Sequence, residues 1–335
     1  MKQQRGMALL VVLLLLAVMV TMASSMTQRF RMEWQRTYNQ QLHLQNYWYL
    51  LGSEALITKV LIQDLKDNPE KTSLAQYWAN EGQIFPVETA TLQGVVRDSQ
   101  ACFNLNSLST TGSGSGSGSG SEETTTSASA LYRANVFRQL LISLKVEDYR
   151  AQQITAALQD WLDDNTTARS LGAEDSEYEA LPHPYLPANG LMQDVSELRA
   201  VKGVDAALYR QLLPLVCAIP EKTLQVNINT LRTIQAPLLA ALFLNNISVD
   251  DARNILEQRP REGWNSVAEF LELGTLSNTA AAGDQVQSAL TIKSFYFLAT
   301  LQAESDHYQT RIVSLFQRQS NNQVTVIRRH FGGVE

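Results

Sequence analysis

Cysteine and histidine are scarce in this 335-residue chain, with two of the first and four of the second. Two cysteines, Cys102 and Cys217, are too few for a disulfide scaffold or a Cys-rich zinc site. His43, His183, His307 and His330 lie too far apart in sequence to show metal-ligand spacing. No long block of like charge suggests an interaction tail. The net charge of −6 argues against a nucleic-acid partner, because phosphate binding needs clustered Lys and Arg. There is no Ser-His-Asp order, phosphate loop or Cys–His pair, so no enzyme class is indicated. An acidic loop described below has the carboxylates of a hydrolase pair, but nothing places a sugar beside it. What remains is 44% hydrophobic and 18% charged, the make-up of a globular protein with an ample core. The length suits two modest domains or one domain with a large insertion.

The N-terminus carries the strongest pattern. Lys2 and Arg5 precede a run from Met7 to Gln28 without a charge, long enough to cross a hydrocarbon core. The bias of basic residues keeps the leader cytoplasmic and exports the rest; Arg29 and Arg31 oppose this, but no second span competes. Three readings fit such a segment: a plain signal-anchor, a secretory signal cut near Ala23-Ser24-Ser25, and a prepilin-type leader. From Thr27 to about Asn68 there is no proline and no glycine except Gly52. Leu42, Tyr49, Leu50, Ile57, Leu61 and Leu65 recur at helical spacing, Leu56 and Val60 widen the stripe, and Asn68-Pro69 ends it. Span and stripe predict one helix of about sixty residues, about 90 Å long. A secretory signal has no reason to continue as such a helix.

The short basic leader, Gly6 as its last residue and the apolar helix opening at Met7 resemble the type IV pilin family. That resemblance implies cleavage by a prepilin peptidase between Gly6 and Met7, and methylation of the new N-terminus. It further implies a long helix whose first half packs in a filament and whose second half carries a globular head. Pilins usually have Glu at the fifth mature position, paired with the N-terminal amine of a neighbour already in the membrane; this chain has Val11. A subunit without that carboxylate suits the tip, where no such neighbour is needed, although Val11 is also simply better for insertion. Lack of the Glu in so long a chain resembles the minor pseudopilin K (GspK) family of type II secretion.

The expected fold class is α+β. A pilin-like N-terminal helix packs on an antiparallel sheet, with a large inserted α-helical domain of helix-hairpin-helix or SAM-like repeats. The expected divisions are leader 1–6, span 7–28, helix and first strands 29–106, insert 107–285 and last strands 286–335. A short helical turn is expected over Ser73–Asn80, then alternation over 82–104 with a strand and turn in Leu92–Asp98. Further strands are expected at Ala289–Gln302, Tyr308–Arg318 and Val324–His330, with a turn at Asn321-Asn322.

The insert contains a duplication. Asn104-Leu-Asn106-Ser107-Leu108 recurs as Asn227-Ile-Asn229-Thr230-Leu231, Ala151-Gln-Gln-Ile154 as Ala252-Arg-Asn-Ile255, and Val195-Ser-Glu197-Leu198 as Val267-Ala-Glu269-Phe270. The Asn and Ser/Thr residues read as N-caps of following helices. Leu198-Arg-Ala-Val-Lys202-Gly203-Val204 fits a helix-hairpin-helix, whose glycine lets amides approach a phosphate; Leu231-Arg-Thr-Ile-Gln-Ala-Pro237 lacks that glycine. With the acidic charge, the hairpins read as packing devices, and a pilin-like DNA-uptake receptor is the alternative. Gly112 to Ser121 alternates Gly and Ser, the composition of a flexible linker.

The first repeat alone carries an acidic insertion: Asp160, Asp163, Asp164 and Asn165, then Glu174, Asp175 and Glu177. Asp160, Asp163 and Asp164 share a helix face, and the only cation nearby is Arg169. Such crowding calls for a cation or for solvent; calcium takes six to eight oxygens, and extracellular sites work at about 10⁻⁴–10⁻³ M. The spacing is not that of an EF-hand. The stretch resembles the GspK family's Asp-Trp-x-Asp-x-Asp … Gly-Ala-Glu-x-x-x-Tyr segment, and the resemblance implies calcium bound by the insert, with Asn165 in place of a third Asp. Cys102 and Cys217 bracket this repeat; after export they form either a bridge or two buried thiols. The implied role is a minor pseudopilin at the tip of a periplasmic pseudopilus, starting or capping assembly with sibling minor pseudopilins. It is expected as a single-pass protein in inner-membrane lipid, with cytoplasmic N-terminus and periplasmic head.

Overall fold

A computed structural model describes residues 5–109, 122–277, 283–305, 308–319 and 323–332. The expected Gly-Ser linker and the Asn321-Asn322 turn lie outside the described residues, as do the first four leader residues. Helix α1 runs from Arg5 to Asp67 without interruption, 63 residues and about 95 Å. Its buried face begins at Asn46 and continues through Leu50, Glu54, Leu61, Asp64 and Leu65. Leu56, expected on this stripe, is exposed, because it lies two positions beyond Glu54 and so turns away from the sheet.

Strands β1 (Ile84–Val87) and β2 (Ala90–Asp98) follow a single turn at Tyr77–Ala79, whose backbone amides at Tyr77 and Trp78 donate to the Asp64 carboxylate. That turn is shorter than the expected Ser73–Asn80. The strand and turn expected in Leu92–Asp98 are β2 and the turn directly after it, and Gly94 belongs to the strand. It sits mid-strand opposite Leu301, where a Cβ would come within 2.8 Å of the leucine side chain. The chain then leaves the sheet. β3 (Phe103–Asn104), α2 (Glu122–Ser143), α3 (Asp148–Leu162), α4 (Asp175–Glu179) and α5 (Ala206–Leu212) come first. After them come β4 (Val216–Cys217), β5 (Val226–Asn227), α6 (Ala236–Leu242), α7 (Val249–Glu257), α8 (Val267–Leu271), α9 (Gly274–Ser277), α10 (Gly283–Ala289) and β6 (Leu290–Thr291).

The sheet resumes with β7 (Tyr296–Ser305), β8 (Tyr308–Arg318) and β9 (Val324–Phe331), in the antiparallel order β1-β2-β7-β8-β9. The strand expected over Ala289–Gln302 is split: β6 pairs with β5 in the insert, and only from Tyr296 does the chain join β2 and β8. Pairing of Asp98 with Phe297 means that the excursion leaves and re-enters the sheet at neighbouring points. It spans Ser99–Phe295, and the expected 107–285 lies inside it.

Two cores result. Leu50 and Leu61 of α1 pack on Trp78, Val96, Phe297, Leu301, Ile312 and Phe316 of the head. The insert has its own, larger core around Phe103, Phe137, Leu158, Leu198, Leu239 and Phe270. The long helix, antiparallel sheet and helical insert are the α+β layout expected.

Candidate metal centre

The Asn motifs explain how the acidic loop is held. Asn104 and Asn227 fold back to accept from the amides of Asn106 and Asn229, two residues on. The second Asn of each copy then clamps a distant segment. Asn106 accepts from the Met192 amide and donates to the Met192 and Ile219 carbonyls; Asn229 accepts from the Trp264 amide and donates to the Trp264 carbonyl. These residues are therefore clamps rather than caps of long helices; Asn104 caps only the single turn Leu105–Leu108. After each clamp, Glu197 and Glu269 accept from the amides of Gln193 and Asn265. The counterpart of Val195–Leu198 is thus Val267–Phe270, and Leu231–Pro237 is not the counterpart of Leu198–Val204. Gly203 has φ +90, and a Cβ there would lie 2.8 Å from Ile154 of α3. Packing on α3 accounts for this glycine.

Between α3 and Met192 the first copy inserts the acidic loop. Asp160, in the last turn of α3, and Asp163, its C-cap, are buried, as is Glu174. One carboxylate oxygen from each of these three lies within 4.8 Å of the others. Asp160 accepts from the amides of Arg169 (3.2 Å) and Ala173 (2.9 Å) and from the Arg169 guanidinium (2.7 Å), which also bonds Asp163. Gly172 is required at this corner, since a Cβ would fall 1.8 Å from Asp160 Oδ2. A glycine inside an acidic loop was the sequence cue to that close approach, and it was missed.

Glu174 has no such support. Both its carboxylate oxygens are buried without a hydrogen-bond partner. Burial, then the charges of Asp160, Asp163 and Asp175, push its pKa up to about 7, with only Arg169 opposing. Glu177 is engaged elsewhere: it accepts from the Glu174 amide and the Ser176 hydroxyl at the start of α4, which hold its pKa below the ordinary value. Asp164 and Asn165 are exposed, and Asn165 turns its amide back onto Asp163. Asp175 opens α4 beside Glu174 and is outside the three-carboxylate group. The donor set is all oxygen, with two orphaned oxygens on one member, which fits a hard cation such as calcium. Trp161 and Tyr178 stack edge to face at 5.6 Å next to it.

The other sequence-derived sites lie apart. Cys102 and Cys217 form a disulfide where β3 pairs with β4. Gly6 and Met7 lie within α1, and Val11 is exposed on it. This helix is long and apolar enough to cross a membrane.

Two family models described as "Type II secretion system (T2SS), protein K" match residues 101–221 and 226–293, both inside the excursion from the sheet. The type II secretion system protein K of Aeromonas hydrophila is 44% identical over all of this chain and 99% of its own length. The chain belongs to the type II secretion system protein K family. Its counterpart from Klebsiella pneumoniae is 42% identical over 98% of this chain and 97% of its own length. A solved relative, from the GspK–GspI–GspJ complex of enterotoxigenic Escherichia coli, superposes with a TM-score of 0.78. It is 34% identical and is matched over 89% of this chain and 100% of that one. The family is a structural component of the secretion system.

Proposed function

We propose that this chain is the tip subunit of a periplasmic pseudopilus, where it starts or caps assembly with sibling minor pseudopilins. The observation that carries the reading is the place of the insert. Thr72, just past the far end of α1, exchanges backbone and hydroxyl hydrogen bonds with Ile292 and Ser294, where the insert returns to the sheet. The insert therefore joins the head at the end of the helix away from the apolar span, where it obstructs a further subunit. Val11 supports the same place, since it needs no carboxylate–amine pair with a preceding subunit. The complex in which the solved relative was found makes the I and J pseudopilins the expected partners.

Before assembly the chain is held in inner-membrane lipid by one span, N-terminus cytoplasmic and head periplasmic, and is cut by prepilin peptidase between Gly6 and Met7. Calcium, held by Asp160, Asp163 and Glu174, supplies the positive charge that Glu174 lacks. Arg169 already serves the other two.

Electron microscopy of pseudopili carrying an epitope in this chain tests the tip: label at one end supports it, and label along the shaft rejects it. Mass spectrometry of the mature chain should find methylated Met7 at the N-terminus; Ser24 or Met1 there would remove the processing step.

A further inference from the structure

Beyond Gln28, and ahead of the buried face that begins at Asn46, the helix carries a group of cationic and aromatic residues. Arg29, Arg31 and Arg36 have no carboxylate partner among the described residues. Phe30, Trp34 and Tyr38, spaced by four, share one face and are exposed. The rings of Trp34 and Tyr38 stack with centroids 5.5 Å apart, which stiffens that face. Three exposed aromatics flanked by cations are costly in water and suit a layer that is apolar below and anionic above.

We infer that Arg29, Phe30, Arg31, Trp34 and Arg36 form a collar seated in the phosphate headgroups of the periplasmic leaflet, which fixes how far α1 stands out of the membrane. This rests on the single-span reading above and specifies its register. The run Met7–Gln28 is about 33 Å long, which matches the hydrocarbon core. Trp34 starts about 9 Å beyond Gln28, but helical side chains lean toward the N-terminus, so its ring reaches back to headgroup depth. Tyr38 stacks on it from the aqueous side. Aromatic rings and arginines are the residue types that bilayer interfaces collect, and anionic phosphates complement the three guanidiniums. Trp48 and Leu44, also exposed, stand about 21 Å and 15 Å farther out than Trp34, beyond headgroup reach.

The full-length chain in phosphatidylethanolamine–phosphatidylglycerol vesicles tests the collar, with lipids brominated near the headgroup or deep in the acyl chain as quenchers of tryptophan emission. Trp78, Trp161 and Trp264 are buried in the head, so the quenchable emission should come from Trp34. Shallow bromines should quench at least twofold more than deep ones, and Trp34→Phe should abolish the difference. Arg29→Gln with Arg31→Gln should lower the shallow-to-deep ratio while the chain still floats with vesicles. Flotation with no quenching lost in Trp34→Phe would overturn the collar and leave this face to a neighbouring protein helix. A chain that does not float would overturn the span itself.

Discussion

The two copies of the insert share a plan and differ in one loop. In the first, α3 is followed by the long stretch from Asp163 to Leu191 before the chain reaches Met192 and the Asn106 clamp. In the second, α7 is followed only by Gln258–Gly263 before Trp264 and the Asn229 clamp. The short loop is pinned by packing: Trp264 is buried against Phe270 at 4.8 Å, and Gly263, at φ +73, sits so close to Asn229 that a Cβ would clash. The long loop cannot close that way. It is pinned by charge, with Asp160 receiving backbone amides and Arg169 bridging two carboxylates while a third stays unmatched. One fold unit thus has a copy closed by packing and a copy closed by ion pairs to buried carboxylates and enclosed by a disulfide.

The disulfide gives the largest expected effect. It joins residues 115 apart and encloses only the first copy. Cys102→Ser with Cys217→Ser should cost about 4–5 kcal/mol in urea unfolding, from the freedom restored to the unfolded loop. Amide exchange should show the loss concentrated in α2 and α3; equal loss in α6 and α7 would break the contrast between the copies.

Removing the clamps comes next. Asn106→Ala and Asn229→Ala each orphan a buried amide and carbonyl, an expected loss of about 2–4 kcal/mol. Asn106 also serves the Ile219 carbonyl, so its replacement should be the worse by about 1 kcal/mol. A reversed order in chemical denaturation would show that the copies do not use their clamps alike.

Calcium should act on the first copy only. With a dissociation constant of about 10⁻⁴–10⁻³ M, 10 mM calcium should stabilise it by about 1.4–2.7 kcal/mol. The gain should appear as a change in emission where Trp161 meets Tyr178, and Glu174→Gln should remove it. Magnesium, which demands a tighter octahedral shell, should do less. A calcium response that survives Glu174→Gln would move the ion elsewhere.

How much of this was legible depended on whether partners are near in sequence. The apolar stripe of α1 repeats locally, so the helix and its end at Asn68-Pro69 were readable. Asn46, Glu54 and Asp64 on the same face were not, because Ser305, Ser314 with Arg329, and the Tyr77–Trp78 amides that satisfy them come from later segments. The duplication was visible, but its asparagines looked like caps because Met192 and Trp264 lie 86 and 35 residues away. Asp160 and Asp163 share a helix face by spacing alone. That Glu174 is orphaned while Glu177 caps α4 depends on a loop path that no period encodes.

The smallest expected effect separates the copies at the sheet. The second is tied to it through Asp98 at the end of β2: buried, it accepts from Ser294 (2.5 Å), Thr230 (2.5 Å), Asn227 (3.3 Å) and the Gln100 amide (2.8 Å). In the first copy the matching Asn104 donates instead to a backbone carbonyl, that of Glu221. Burial raises the Asp98 pKa against the four hydrogen bonds that oppose the rise. The folded state therefore holds this proton more tightly than the unfolded chain, whose carboxyl loses it near 3.8. Where the two differ in bound protons, stability falls as pH rises, from about that value up to the raised one. Asp98→Asn should flatten this slope in thermal unfolding followed between pH 4 and pH 7, with a loss of about 1 kcal/mol from the altered hydrogen bonds. A slope that persists in the variant would place the buried proton elsewhere. A slope of opposite sign that the variant removes would mean that the four donors outweigh burial, and that the joint is built to hold Asp98 as an anion.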